Sequence, residues 1–160
     1  MELKEHANEN TEYLDRIKDA IKDPKYSIFI ILGIPFILAL LGVLFGLFGM
    51  VIVLVGPLVA LACYAYYTGN KLSSAIFGLL IIPLMLLYFK PIDEILNFQF
   101  DQLWRYFEWS YIFMIIDEFW KYSLAHSLIG LLFTFKKKPY LAIALLIFVL
   151  QLMEIVSHID

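Results

Sequence analysis

Residues 26–70 read YSIFIILGIPFILALLGVLFGLFGMVIVLVGPLVALACYAYYTGN and contain no Asp, Glu, Lys or Arg. A soluble domain could not bury so long an apolar run, whereas a bilayer can, because a membrane-spanning helix needs about 20 apolar residues. The run is therefore long enough for two spans. The whole chain of 160 residues is 62% hydrophobic, well above the roughly half-apolar composition of soluble domains. The sequence predicts an integral membrane protein.

Further apolar segments continue this pattern towards the end of the chain. With the first run they predict an all-α bundle of about five transmembrane helices, near residues 27–47, 50–68, 73–89, 112–135 and 140–157. Residues 26–160 then form the transmembrane domain. Residues 1–25 are predicted to be a cytosolic segment, with an amphipathic helix at 11–23 whose apolar side chains follow helical spacing.

The segment at residues 90–110 differs from an ordinary loop because aromatic and acidic residues alternate in it. Trp104 and Trp109 stand among Asp101, Arg105 and Glu108. Tryptophan favours the headgroup level of a membrane, where its apolar ring and its polar edge are both satisfied. We expect this segment to form an interfacial helix on the outer side of the membrane.

Basic residues set the expected orientation, because cytoplasmic loops are enriched in Lys and Arg. With five spans, the outer side carries only Lys90 and Arg105, and Lys121 falls within a span. The sequence therefore predicts a multi-pass protein with a cytoplasmic N-terminus and an external C-terminus. The basic residues on the inner side are then Lys4, Arg16, Lys18, Lys22, Lys25, Lys71, Lys136, Lys137 and Lys138.

The last two predicted spans carry polar residues inside their apolar sequence. At about 1.5 Å per residue, three pairs fall at matched depths, about 15, 22 and 28 Å from the connection between the spans. These pairs are His126 with Gln151, Lys121 with Glu154, and Glu118 with His158. Asp117 points nearly opposite His126 on an ideal helix, so we expect one of the two neighbouring acids to face elsewhere. The candidate site therefore comprises Glu118, Lys121, Tyr122, His126, Gln151, Glu154 and His158.

Two interpretations of this polar ladder stay open at the level of sequence. Ionisable groups at such depth usually face the bundle interior or a wet cavity, which favours a site that binds or conducts a proton, a cation or a polar headgroup. Alternatively, Lys121 pairs with Glu154 and His126 bonds to Gln151 only to lock the helices together. The chain would then be a non-catalytic structural subunit or assembly factor.

The expected partners follow from composition and from the spans. They are the lipid bilayer and either other membrane subunits or a second copy of the chain. The net charge of −3 argues against a nucleic-acid partner.

Two short fragments carry a resemblance to a known family. Ala125-His126-Ser127-Leu128-Ile129-Gly130 and Ser157-His158-Ile159-Asp160 resemble the predicted membrane-bound metal-dependent hydrolases, which place Thr-His-Ser in one membrane helix and Ser-His with a following Asp in a later one. The resemblance implies a hydrolase with His126, His158 and Asp160 as ligands of a divalent metal such as zinc. The chain departs from the family at Ala125, in the threonine position, and at Lys121, in the position of the first histidine. It contains neither a zinc-protease motif nor a nucleophile elbow, which favours a role without catalysis.

Overall fold

The computed structural model describes residues 23–157. The predicted amphipathic helix at 11–23 lies outside the described residues apart from its last position, and so do His158 and Asp160. Within 23–157 the chain forms helices and no strand, which confirms the predicted all-α class.

Helices occupy each of the apolar segments that the sequence identifies. They are α1 (Pro24–Leu44), α2 (Leu47–Thr68), α3 (Lys71–Leu96), α4 (Trp109–Phe133) and α5 (Lys138–Ser157), with a 3₁₀ helix (Phe100–Phe107) between α3 and α4. Among the described residues, α1, α2, α3 and α5 each contain a stretch long and apolar enough to cross a membrane. The α4 helix has 25 residues but carries Asp117, Glu118 and Lys121. Five spans therefore stay a prediction.

The α3 helix continues to Leu96, seven residues beyond the predicted end of the third span at 89. Side-chain packing explains the extension. Ile92 is buried against Ala39 and Met85, and Glu94 accepts a hydrogen bond from the Tyr106 hydroxyl. These contacts hold two further turns, although Pro91 lies inside the helix. The predicted interfacial segment at 90–110 is therefore divided between the end of α3 and the 3₁₀ helix.

The turns between the first three helices depend on left-handed backbone at two glycines. Gly46 joins α1 to α2 with φ of 54°, and Gly69 ends α2 with φ of 60°. Glycine adopts this region without a steric penalty. The Asn70 side chain then caps α3 by accepting a hydrogen bond from the Ser73 N–H at 3.1 Å.

The α3 helix is central and packs most extensively on α4. Their backbones touch at two glycines. A Cβ atom added to Gly78 would lie 2.2 Å from the His126 carbonyl oxygen, and one added to Gly130 would lie 2.4 Å from the Ser74 carbonyl oxygen. Small residues allow such close approach of helices in membranes. This contact fixes the part of α4 that carries His126.

The distribution of apolar side chains suits a lipid environment. Large apolar groups cover the outside of the bundle, as at Phe29 and Phe48, which are 73% and 80% exposed. A surface this apolar requires a covering partner or a membrane. The core that the helices enclose consists of Leu58, Leu61, Tyr64, Ala65, Phe77, Ile81, Ile129, Phe133, Ala144 and Phe148.

Candidate functional site

A cleft of about 760 Å³ lies among four helices. Most of its wall is apolar, and its polar lining comes from α4 and α5. The α2 and α3 helices contribute Val53, Leu54, Ile82, Met85 and Leu86, while α4 and α5 contribute Asp117, Glu118, Phe119, Trp120, Lys121, Tyr122, His126, Phe148, Gln151, Leu152, Glu154 and Ile155.

The structure brings together six of the seven residues that the sequence assigns to a candidate site. Glu118, Lys121, Tyr122, His126, Gln151 and Glu154 all line the cleft. The seventh, His158, lies outside the described residues. The six residues share the cleft because α4 and α5 pair antiparallel through a short connection. Their role in binding stays a prediction.

The deepest polar groups of the cleft are His126 and Gln151, which are only 5% and 7% exposed. Both donate to one backbone oxygen. The His126 Nδ1 lies 3.0 Å from the Tyr122 carbonyl oxygen, and the Gln151 Nε2 donates to the same oxygen at 3.3 Å. The sequence interpretation in which His126 bonds directly to Gln151 was wrong in detail, because a backbone carbonyl joins them.

This shared carbonyl fixes the orientation of both side chains. A carbonyl oxygen can only accept hydrogen bonds, so the nitrogen of each side chain that faces it carries the proton. The His126 Nε2 and the Gln151 Oε1 therefore face away from Tyr122. Neither atom has a hydrogen-bond partner within the described part of the chain. A neutral His126 thus has a lone pair at Nε2, and Gln151 has a second acceptor at Oε1, and both atoms are buried.

The outer part of the cleft is charged. Asp117, Glu118 and Glu154 line it together with Lys121, and all four side chains are exposed. Three carboxylates against one ammonium group give this region a negative balance. The exposure of Lys121 and Glu154 also means that their predicted pairing would occur at the mouth of the cleft.

Sequence reasoning missed Asp117, which was expected to face away from the site if Glu118 faced into it. Both acids line the cleft. Consecutive residues of a helix can border one cavity only where the cavity is open and extends around the helix. Successive side chains on a helix point about 100° apart, so the sequence argument expected only one of the two acids to face the site and did not select Asp117.

Metal ligation has limited support from the described residues. No three or more His, Cys, Asp or Glu side chains between residues 23 and 157 are grouped so that they could hold a metal ion. Of the ligands that the family resemblance implies, His126 lies in the cleft, and His158 and Asp160 lie outside the described residues.

A buried acid lies at the end of α3, outside the cleft. Glu94 is 8% exposed, and its Oε1 accepts a hydrogen bond from the Tyr106 hydroxyl of the 3₁₀ helix. This hydrogen bond, together with burial and the negative charge of the carboxylate, raises the pKa of Tyr106 to about 12. The contact attaches the 3₁₀ helix to α3, and Glu94 is not among the residues that line the cleft.

Comparisons with protein-family models, with curated proteins and with solved structures gave no match.

Proposed function

We propose that this chain is an integral membrane protein that binds a small organic cation in the cleft between α4 and α5. The single observation that carries the proposal is that two buried acceptors, His126 Nε2 and Gln151 Oε1, have no hydrogen-bond partner among residues 23–157. A buried polar atom left without a partner costs about 1–3 kcal/mol. A ligand that donates hydrogen bonds would recover this free energy.

Charge selects the class of donor. The acids Asp117, Glu118 and Glu154 line the outer part of the cleft and would attract a cation in preference to a neutral donor. An ammonium group supplies both the charge and the hydrogen bonds. The positive charge of Lys121 reduces the net negative charge at the mouth of the cleft but does not reverse its sign.

Size and polarity support an organic ligand in preference to a bare ion. The cleft volume of about 760 Å³ falls within the range of roughly 300–1,000 Å³ that is usual for small-molecule sites. Apolar side chains from α2 and α3, among them Leu54, Ile82 and Met85, line the same cleft. They would pack against the carbon skeleton of the ligand while its ammonium group meets the acceptors.

The orientation of the chain is part of the proposal. The distribution of Lys and Arg supports a cytoplasmic N-terminus, with α4 as a fifth span and the C-terminus outside. The acids of the cleft would then open towards the outer side. Binding from that side would suit a receptor for, or a carrier of, external cations.

A thermal-unfolding assay of the purified full chain in detergent tests the binding. Phenethylammonium is the probe, and phenethyl alcohol, which has nearly the same shape without the charge, is its control. Ligands that bind only the folded state raise Tm. We expect the amine to raise Tm of the wild type, and the alcohol to leave it unchanged after correction for detergent partitioning.

Variants assign that effect to the cleft. His126→Leu and Gln151→Leu should each abolish the rise in Tm caused by the amine. Ser123→Ala is the matched control, because Ser123 is buried on the same helix with its hydroxyl bonded to the Phe119 carbonyl. An equal rise in Tm with all three variants would refute binding at these acceptors.

A structural subunit is the second candidate function, and the shared carbonyl of Tyr122 favours it. Gln151 on α5 donates to this oxygen of α4 and so joins the two helices without any ligand, while the His126 bond to the same oxygen lies within α4. This function predicts that amines leave Tm unchanged and that His126→Leu fails to fold. The hydrolase alternative rests on the resemblance alone, and its test is the zinc content of the purified protein.

A further inference from the structure

Two turns meet at the end of the bundle opposite the charged mouth of the cleft. One turn joins α2 to α3, and the other joins α4 to α5. The Lys71 Nζ lies 4.6 Å from the ring centroid of Phe135, and the Lys136 Nζ lies 4.5 Å from that of Tyr66. These contacts cross between the turns in both directions, so the two turns form one surface. We call it the basic end, which consists of Tyr66, Lys71, Phe135, Lys136, Lys137 and Lys138.

The basic end carries positive charge that its own helices do not neutralise. Lys71, Lys136, Lys137 and Lys138 are all exposed. The sequence contains no Asp or Glu between residues 24 and 92, or between 119 and 153. These ranges include both turns and the helical turns next to them. Four ammonium groups therefore lie together on a surface that borders apolar, exposed helix faces.

The backbone at Lys136 gives an independent indication that this ammonium group has a role. Lys136 has φ of 52°, in the left-handed region that a glycine adopts without strain. Its N–H donates to the Phe133 carbonyl at 3.3 Å, and this hydrogen bond closes the turn after α4. A glycine at this position could make the same backbone hydrogen bond. The lysine adds only a side chain, and that side chain extends to the Tyr66 ring.

Ammonium groups held on aromatic rings remain able to bind anions. An ammonium group has three N–H donors, and an aromatic ring contacts the ammonium group on one side only. The remaining donors of Lys71 and Lys136 are directed away from the rings. Tyr66 is 60% exposed, and exposed tyrosine favours the headgroup level of a membrane. Basic side chains beside aromatic rings at the headgroup level can bind the phosphate groups of lipids.

We infer that the basic end binds the headgroups of anionic phospholipids in the leaflet at this end of the bundle. The phosphates accept hydrogen bonds from the lysines, and the acyl chains lie on the apolar faces of α2 and α3. This lipid site is separate from the proposed cation cleft, so either can be refuted without the other.

The single cysteine of the chain provides a reporter near the basic end. Cys63 is exposed on α2, five residues before the helix ends at Thr68. The full chain is labelled there with a bimane fluorophore and reconstituted into vesicles at physiological ionic strength. Quenching by dibrominated phosphatidylglycerol is then compared with quenching by dibrominated phosphatidylcholine. We expect the wild type to bind the anionic lipid at least about threefold more tightly, in keeping with a favourable contribution from each lysine near the surface.

Charge variants test whether the lysines cause that preference. The variant Lys71→Gln/Lys136→Gln/Lys137→Gln/Lys138→Gln should reduce the ratio of the two affinities to about one. The matched control is Lys90→Gln/Arg105→Gln, which removes two exposed basic residues that lie outside both turns and should keep the wild-type ratio. Lys137→Gln/Lys138→Gln should lose part of the preference, and it changes no ring contact, so it serves if the larger variant does not fold.

Three results would overturn the inference. The first is equal quenching of the wild type by both lipids, and the second is an undiminished preference in the Lys137→Gln/Lys138→Gln variant. The third is loss of the preference on addition of inorganic phosphate, because the site would then recognise a free phosphate. Lys136→Gly should lower the preference while leaving the unfolding transition unchanged or raised, since glycine relieves the left-handed backbone.

Discussion

The two sides of α4 differ in how they meet their neighbours. Towards α3, the backbones touch at Gly78 and Gly130, where no Cβ atom would fit. Towards α5, the helices leave an open cleft in which His126 and Gln151 each have a polar atom that no other group in the described part of the chain contacts by a hydrogen bond. Close backbone packing therefore dominates the first side, although the buried Ser74 Oγ on α3 also has no hydrogen-bond partner among the described residues. On the second side, the hydrogen bonds to the Tyr122 carbonyl contribute to the packing. The packing does not explain why His126 Nε2 and Gln151 Oε1 have no partner among the described residues.

If the proposed function holds, this difference separates groups that stabilise the bundle from groups that would contact the ligand. His126 belongs to both sides, because its backbone oxygen contacts Gly78 and its imidazole lines the cleft. Substitutions on α3 and on the imidazole should therefore have different effects on stability and on binding.

The largest expected effect is on the closed side. Gly78→Ala places a Cβ atom against the backbone of α4, which cannot move as a flexible side chain can. We expect a loss of about 3 kcal/mol in the free energy of unfolding, at the upper end of the range for overpacking. Gly33→Ala is the control, because nothing lies within 4 Å of its added Cβ. Denaturant unfolding in detergent measures both variants, and equal stabilities would contradict the close contact of α3 with α4.

The next effect concerns a polar contact that is satisfied within the chain. Tyr106→Phe removes the hydrogen bond to Glu94 and leaves a buried carboxylate with no partner for Oε1. We expect a loss of about 2 kcal/mol, measured in the same denaturant assay. Tyr88→Phe serves as a comparison, because Tyr88 makes an edge contact with the ring of Phe36 and should change stability little.

The same contact predicts a pH dependence. The folded chain holds the Tyr106 proton up to a pKa of about 12, whereas tyrosines of an unfolded chain titrate near pH 10. The stabilisation is therefore complete below about pH 10 and is lost as the pH rises towards 12. Tyrosinate absorbance should show one late-titrating group in the wild type that Tyr106→Phe lacks. An identical titration of the two proteins would show that the hydrogen bond does not form.

On the open side we expect a small effect on stability. His126→Leu removes one hydrogen bond to Tyr122. It also removes a buried nitrogen that has no partner among the described residues, and these two changes partly offset each other. The free energy of unfolding should fall by no more than about 1 kcal/mol. A loss as large as that of Gly78→Ala would identify His126 as a packing residue and support the structural subunit.

The smallest effect is expected at the mouth of the cleft. Lys121 and Glu154 are both exposed, and pairs of exposed charges contribute little, typically up to about 1 kcal/mol. A double-mutant cycle with Lys121→Met and Glu154→Gln should give a coupling of about 0.5 kcal/mol. Strictly additive losses would show that the two charges do not interact.

The sequence predicted the helical segments well because each is a long apolar run, and hydrophobicity is a local property. It did not predict that α3 would continue to Leu96, because Lys90, Pro91 and Asp93 resemble a helix boundary. The contacts that extend α3 involve Ala39 and Tyr106, which are distant in sequence. Such contacts leave no local pattern.

The candidate site was predictable to a similar degree. Antiparallel pairing of α4 with α5 determined which depths match, so the sequence identified the polar residues that line the cleft. It did not predict the shared Tyr122 carbonyl, because that geometry depends on how α4 and α5 rotate about their axes. The rotation of α4 is fixed by Gly78 and Gly130 against α3, and the sequence carried no separate signal for their contact.

The most direct test of the proposed function is ¹⁵N NMR of the full chain, labelled at its histidines and reconstituted in lipid. His126→Leu assigns the His126 signals. The structure predicts one protonated nitrogen, Nδ1, and one bare nitrogen, Nε2, because within residues 23–157 only Nδ1 has a hydrogen-bond partner. Phenethylammonium should shift the Nε2 signal towards that of a hydrogen-bonded nitrogen, and phenethyl alcohol should shift it less. An Nε2 signal that is already hydrogen-bonded without the amine, or that does not respond to it, would contradict the proposal.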